Sequence, residues 1–254
     1  ALDVHERPTA LSLQLKDRDL VELYLRASEA EHRPWAEWEN SAPDFFRQAL
    51  ERAPDDPVLL ASYAVCLLRG APPYERTRYL TARRAAEQAL VLNTRSAAPH
   101  LACGASLYLA NDAVGAVEAL RRALALAPSL ADGHAMLGAI ASAVGLLDES
   151  VGRSQLALAL DPRIAIARFC ASRSLEMKGD RAGADVMLRD GLRDTRTFGA
   201  FLCALSTARY ALWRGTDEAR DAAVEMLRPA AAGNPLIQDA VITGHDREEV
   251  GALL

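Results

Sequence analysis

Two consecutive segments decide the fold: AAPHLACGASLYLANDAVGAVEALRRALALAPSL (residues 97–130) and ADGHAMLGAIASAVGLLDESVGRSQLALALDP (residues 131–162). They superpose at an offset of 34 residues, which aligns His100 with His134, Gly104 with Gly138, Ala123 with Ala157, Leu126 with Leu160 and Pro128 with Pro162. A fixed period of this length, with small residues at set places and a closing proline, is typical of a helix–turn–helix repeat. Proline ends each helix pair because it cannot continue a helix.

Counted from Ala97 and Ala131 as position 1, both segments resemble the tetratricopeptide repeat (TPR). The Leu-Gly pair of that family, at positions 7 and 8, corresponds to Cys103-Gly104 and Leu137-Gly138. Its small residues at positions 20 and 27 correspond to Ala116 and Ser150, and to Ala123 and Ala157. Histidine replaces the usual tryptophan at position 4 in both segments. The resemblance implies an all-α, right-handed superhelix of about six helix pairs.

Two glycines within the predicted first helices, Gly104 and Gly138, support this interpretation. Glycine inside a helix costs roughly 1 kcal/mol relative to alanine. We therefore expect these positions to allow two helices to approach closely, and we expect the alanines of the second helices to do the same.

The repeat pattern predicts three regions. Residues 1–16 are an irregular N-terminal segment, residues 17–233 form the TPR domain, and residues 234–254 form a C-terminal tail. Within the domain, one repeat is predicted to place helices at 57–69 and 76–93, with about six extra residues between them. In the tail, residues 241–244 and 250–254 suggest two short strands around a charged turn.

Composition argues against several classes of function. Of 254 residues, 50% are hydrophobic and 6% are aromatic, which suits a helical core rich in alanine and leucine. A net charge of −5 does not indicate a surface that binds nucleic acid. No apolar run is long enough to span a membrane. Four cysteines without a C-x-x-C pair indicate buried thiols in a reducing, cytoplasmic environment.

The candidate chemical groups form no catalytic signature. His100 and His134 share one repeat position, so they could lie near each other, but they lack a carboxylate or thiolate at ligand spacing. Packing of each ring between helices is the preferred interpretation over a metal pair. Ser142, Ser150 and Ser154 lack a histidine partner at a suitable spacing. We expect neither a metal nor a cofactor, and we expect the chain not to be an enzyme.

Two further resemblances concern the chain's context. YLRASEAEHR (24–33), FFRQALERAPDDPVLLASYAVCLL (45–68) and ARRAAEQALVLNTRSAAPHL (82–101) are similar to the C-terminal TPR region of bacterial regulators, namely winged-helix activators, adenylate cyclases and serine/threonine kinases. PLIQDAVITGHDREEVGALL (235–254) resembles part of the C-terminal subdomain of feruloyl-CoA-type acyl-CoA ligases. The phosphate-binding loop of those enzymes is absent, so adenylation by this chain is excluded.

The TPR resemblance also implies a partner site. First helices line the concave groove of the family, and the corresponding residues here are Leu101, Ala105, Tyr108, Met136, Ala139, Phe169, Arg173 and Met177. The sequence thus predicts a non-catalytic interaction scaffold, the regulatory or sensory module of a larger bacterial protein, that binds a protein or peptide. Two alternatives stay open: a domain attached to an acyl-CoA-ligase-like enzyme, and a small-molecule or lipid sensor that uses the apolar groove.

Overall fold

A computed structural model describes residues 17–30, 42–68, 76–193 and 198–231. These ranges contain twelve α-helices and no strand. The helices are α1 (Arg18–Ala30), α2 (Ala42–Arg52), α3 (Pro57–Leu68), α4 (Arg76–Leu92), α5 (Ala97–Leu109), α6 (Ala113–Leu126), α7 (Ala131–Ala143), α8 (Leu147–Leu160), α9 (Ala165–Lys178), α10 (Arg181–Gly191), α11 (Phe198–Arg214) and α12 (Asp217–Ala231). The prediction of an all-α fold built from six helix pairs is confirmed. Segments 1–16 and 234–254, with the two predicted strands, lie outside the described residues.

The turns between paired helices display the repeat directly. In four repeats, one residue of this turn has a positive φ: Asn111 (63°), Gly145 (81°), Gly179 (86°) and Gly215 (73°). Such a backbone conformation favours glycine, which has no Cβ, and asparagine tolerates it better than most residues. The first three positions are 34 residues apart, and the last follows after 36. The repeat found in the sequence therefore recurs in the structure as a turn residue with positive φ.

The second helix of two repeats begins at an aspartate cap. The Asp112 carboxylate accepts a hydrogen bond from the Gly115 N–H at 2.9 Å, and Asp180 accepts one from the Gly183 N–H at the same distance. Each cap satisfies a backbone donor that the first turn of a helix leaves unpaired. The cap therefore fixes where the chain re-enters a helix after the left-handed turn.

The chain divides into two compact units, residues 1–140 and residues 141–254. In the first unit, α1 packs against α2, α3 against α4 and α5 against α6, and contacts of α3 and α4 with α5 join neighbouring pairs. Its core contains the fully buried side chains of Phe46, Leu59 and Leu120. The Tyr24 and Phe46 rings meet edge to face, with their centroids 6.1 Å apart.

Gly104 explains how α5 and α6 come together in the first unit. A Cβ at this position would lie 2.7 Å from Cγ of Leu120 and 3.2 Å from the carbonyl oxygen of Ala116. Both neighbours belong to α6, so the missing side chain is what lets the two helices close. The close approach expected at Gly104 is thereby confirmed.

In the second unit, α9 packs against α8, α10 and α11. The helices α11 and α12 form the last pair. A core cluster joins Leu188, Cys203, Tyr210 and Leu227. At Gly191, a Cβ would collide with Sγ of Cys203, so this glycine plays the part in α10 that alanine plays in the earlier repeats.

Candidate functional site

All eight residues predicted to line the groove lie on first helices: Leu101, Ala105 and Tyr108 on α5, Met136 and Ala139 on α7, and Phe169, Arg173 and Met177 on α9. The first five belong to the first unit and the last three to the second. Each set is therefore described within its own unit.

In the first unit, most of the predicted side chains contribute to the core. Leu101, Ala105 and Ala139 are buried. Tyr108 and Met136 are half-buried and pack against the cluster that contains Leu101, Ala116, Leu120, Ala123 and Ile140. Only Tyr108 and Met136 therefore retain surface that a partner could touch.

In the second unit, the three predicted residues form a stripe on α9. Phe169, Arg173 and Met177 follow one another at intervals of four, a spacing that keeps side chains on one face of a helix. Phe169 is half-buried, Arg173 is exposed, and 46% of Met177 is exposed. We call these three residues the α9 stripe.

The neighbouring first helix carries a matching set that the sequence analysis missed. On α11, Leu205, Arg209 and Trp213 also follow at intervals of four, and all three are exposed, Trp213 by 70%. We call them the α11 stripe. A strict period of 34 residues does not align the two stripes, because the interval from one inter-helix turn to the next is 36 residues here. Alignment of the turn glycines Gly179 and Gly215 does reveal the match.

Side-chain contacts hold α9 and α11 in register. Arg214 of α11 donates to both carboxylate oxygens of Glu176 on α9, at 3.0 Å from Nε and 2.6 Å from Nη2. The same guanidinium reaches Asp185 of α10 at 2.9 Å. The hydrogen bonds to Glu176 and Asp185 raise the pKa of Arg214, although burial opposes the rise, so Arg214 stays protonated. Next to this network, Oγ of Ser172 lies 3.5 Å from the Tyr210 hydroxyl.

The two stripes end at one cleft. Its volume is about 300 Å³, and its lining residues are Glu176, Met177, Lys178, Gly179, Arg181, Trp213 and Arg214. The cleft combines two exposed apolar side chains with basic groups at its rim, of which Lys178 pairs with Asp148 and Arg181 lies 4.0 Å from Glu176. A larger cleft of about 370 Å³ lies between α1 and α2, but Leu23 is the one hydrophobic residue in its otherwise polar and charged lining.

Each histidine of the repeat position packs against its own backbone. Nε2 of His134 lies 2.8 Å from the carbonyl oxygen of Pro128, and Nε2 of His100 lies 3.3 Å from that of Thr94. In both cases the acceptor is six residues earlier, so the ring ties the start of the helix to the preceding turn. Across residues 17–30, 42–68, 76–193 and 198–231, no three histidine, cysteine or acidic side chains are grouped as a metal site.

Two of the three serines considered as nucleophiles, Ser142 and Ser150, hydrogen-bond to a further serine, Ser174. Oγ of Ser174 lies 2.9 Å from Oγ of Ser150 and 3.2 Å from Oγ of Ser142. Ser154 is buried, and its hydroxyl has no hydrogen-bond partner among the described residues. A buried hydroxyl with no neighbouring base is not an activated nucleophile.

The cysteines are poor nucleophiles for a different reason. All four are buried. Burial raises the pKa of Cys170 to about 12, and it raises the pKa of Cys103 and of Cys203 to about 11. Since the thiolate is the reactive form, these thiols stay protonated and inert near neutral pH.

We expect Cys103, Cys170 and Cys203 to resist iodoacetamide at pH 8 in the folded protein and to react fully once it is unfolded in urea. Because burial raises these pKa values above the ordinary value of 9.0, the stability they contribute is complete below about pH 9 and is lost as pH rises toward 11–12. Peptide mass spectrometry after alkylation measures how much of each cysteine has reacted. Rapid alkylation of Cys170 in the native state at pH 8 would contradict this account of its environment.

No helix in the part of the chain that the structure describes has the length and hydrophobicity needed to cross a membrane.

Comparison with known proteins reveals the fold and no sequence family. No family model and no curated protein matches the chain. Among solved structures, a TPR protein from Parabacteroides merdae superposes with a TM-score of 0.57 at 12% identity, covering 94% of this chain and 89% of that one. A thermophilic TPR protein from Thermus thermophilus gives 0.51 at 18% identity, covering 67% and 85%. A chain of the APC/C hetero-tetramer Cut9-Hcn1 gives 0.61 at 16% identity, covering 89% and 46%. The fold of the chain is therefore that of tetratricopeptide-repeat proteins.

Proposed function

We propose that the chain is a non-catalytic interaction module that binds a peptide or helix of another protein along first helices of its repeats. The observation that carries the proposal is the α9 stripe, in which Arg173 and Met177 project from a helix that is otherwise well packed. Methionine and aromatic side chains form an adaptable apolar surface that suits an amphipathic helix. The Cut9-Hcn1 complex is an example of this fold within a protein assembly.

The chemistry of the surface favours a peptide over a small molecule. Both clefts described above are lined largely by charged side chains, whereas small-molecule sites are mostly apolar with a few polar groups. An elongated stripe with a charge at its centre offers repeated contacts along a chain. We further propose, from the resemblance to TPR regions of regulators, that the module serves a larger bacterial protein.

The test is to capture partners with the full chain from a lysate of the source organism and to measure binding of each purified candidate. Phe169→Glu and Met177→Glu are expected to abolish binding, because each places a carboxylate within an apolar contact. Leu156→Glu is the matched control, since Leu156 lies on α8 in the same unit and is 44% exposed, close to the value for Met177. This control is expected to bind normally.

Melting temperatures separate a surface role from a structural one. Met177→Glu should melt within about 2 °C of the wild type, because substitutions at exposed sites usually change stability by less than about 0.5 kcal/mol. Unfolding by Phe169→Glu would place Phe169 in the core. If Met177→Glu binds the partner as well as the wild type does, the α9 stripe is not the binding surface. The same conclusion follows if Leu156→Glu loses as much affinity as Met177→Glu.

A further inference from the structure

The first helices of the second unit differ from their surroundings in charge. Across α9 and α11, five side chains are basic and one is acidic, although the whole chain has a net charge of −5. The single carboxylate, Glu176, is only 5% exposed and is neutralised by Arg214. The second helix α12 shows the opposite balance, with four acidic and two basic residues. Positive charge is thus concentrated on one set of helices within this unit.

Two of these basic groups lie at the centres of the two stripes. Arg173 and Arg209 are exposed, and neither forms an ion pair with another described residue. They belong to helices in contact, since the hydroxyls of their sequence neighbours Ser172 and Tyr210 lie 3.5 Å apart. The arginines of α9 and α11 therefore share one region of surface.

The stripes repeat one order of chemistry, apolar, basic, apolar. Phe169 and Leu205 begin them, Arg173 and Arg209 lie at the centre, and Met177 and Trp213 end them. Eight residues of helix rise about 12 Å, which corresponds to roughly two turns of a partner helix. Met177 and Trp213 line the cleft of about 300 Å³, and Lys178 and Arg181 contribute basic groups to the same cleft.

We infer that this surface, the α9 and α11 stripes together, binds an acidic amphipathic segment of a partner protein. Carboxylates of the segment pair with Arg173 and Arg209, and one of its apolar side chains enters the cleft between Met177 and Trp213. Arginine suits this role because its planar guanidinium binds a carboxylate through two parallel hydrogen bonds. Exposed tryptophan provides a large apolar contact, and tryptophan and arginine dominate binding energy at many interfaces. The inference rests on the proposed function and adds the chemistry of the partner.

The test selects peptide ligands directly, so the natural partner need not be identified first. A phage library of random 12-residue peptides is panned against the full chain, and enriched peptides are synthesised and measured by fluorescence polarisation. We expect enriched peptides to contain more Asp and Glu than Lys and Arg, together with at least one large apolar residue. Their affinity should fall as salt is raised, since charged contacts at a surface are screened.

Charge-reversed variants test whether Arg173 and Arg209 bind the acidic side chains of the peptides. Arg173→Glu/Arg209→Glu is expected to weaken binding by about tenfold or more, because it places like charges opposite the peptide. Arg189→Glu/Arg228→Glu is the control, since it makes the same change in net charge at exposed positions of α10 and α12. This control should bind within about twofold of the wild type. Trp213→Ala should weaken binding by about tenfold through the lost apolar contact.

The outcomes distinguish this inference from the proposed function. If enriched peptides show no acidic excess and bind the Arg173→Glu/Arg209→Glu protein normally, yet lose affinity for Met177→Glu, the inference is wrong and the proposed function stands. If no peptide is enriched, or enriched peptides ignore Met177→Glu as well, both are overturned. Acidic peptides that depend on Arg173, Arg209 and Trp213 would support both.

Discussion

Replacement of Arg214 with methionine is expected to destabilise the protein by about 3–5 kcal/mol, the usual cost of breaking a buried ion pair by removing one partner. Arg214 is 14% exposed and neutralises Glu176, which is 5% exposed. Without the guanidinium, the carboxylate of Glu176 remains in a poorly solvated position, and its remaining partner among the described residues is Arg181, 4.0 Å away. Urea denaturation monitored by circular dichroism measures the change.

Two control variants test whether the loss of stability in Arg214→Met comes from the buried charge of Glu176. Arg228→Met removes an exposed pair on α12, with Glu225, and should cost less than about 1 kcal/mol. The double variant Arg214→Met/Glu176→Leu should recover most of the lost stability, because apolar residues of similar volume can replace a buried pair. A loss below about 1 kcal/mol for Arg214→Met alone would show that this network does not hold α9, α10 and α11 together.

Replacement of Leu120 with alanine is expected to cost about 2–5 kcal/mol, the range for truncation of a fully buried leucine. Leu120 of α6 has no exposed surface and fills the space left by Gly104 of α5. Its loss opens a cavity at the point where the two helices are closest. The same denaturation experiment measures the loss of stability.

Leu126→Ala serves as the matched control, because Leu126 is on the same helix and is 42% exposed. We expect its cost to stay below about 1 kcal/mol. Since neighbouring repeats share their interfaces, Leu120→Ala should also increase hydrogen exchange in α5. Equal effects of the two truncations would contradict the close packing at Gly104.

Much of the fold could be predicted because the repeat is encoded by local chemistry. The period of 34 residues reappears as left-handed turn residues at Asn111, Gly145 and Gly179. The predicted helices at 57–69 and 76–93 correspond to α3 and α4. Glycine and proline act on the backbone alone, so their positions indicate helix ends even where tertiary contacts are unknown.

The candidate site was harder to predict because exposure depends on neighbours. Leu101 occupies a groove position in the repeat, yet it lies in a core cluster with Leu120 and Ile140. Trp213 is not among the predicted groove residues, because a repeat of 36 residues shifts it out of register with Met177. A pattern of helical spacing indicates which residues share a face, but it does not indicate which of those faces another helix covers.

The most direct test of the account is hydroxyl-radical footprinting of the full chain, free and saturated with a captured partner. Met177 and Trp213 are both exposed and readily oxidised, while the half-buried Met187 and Met226 provide internal references. We predict that the partner protects Met177 and Trp213 together and leaves Met187 and Met226 unchanged. Unaltered oxidation of Met177 and Trp213 in the saturated complex would contradict the central claim that these two stripes form the binding surface.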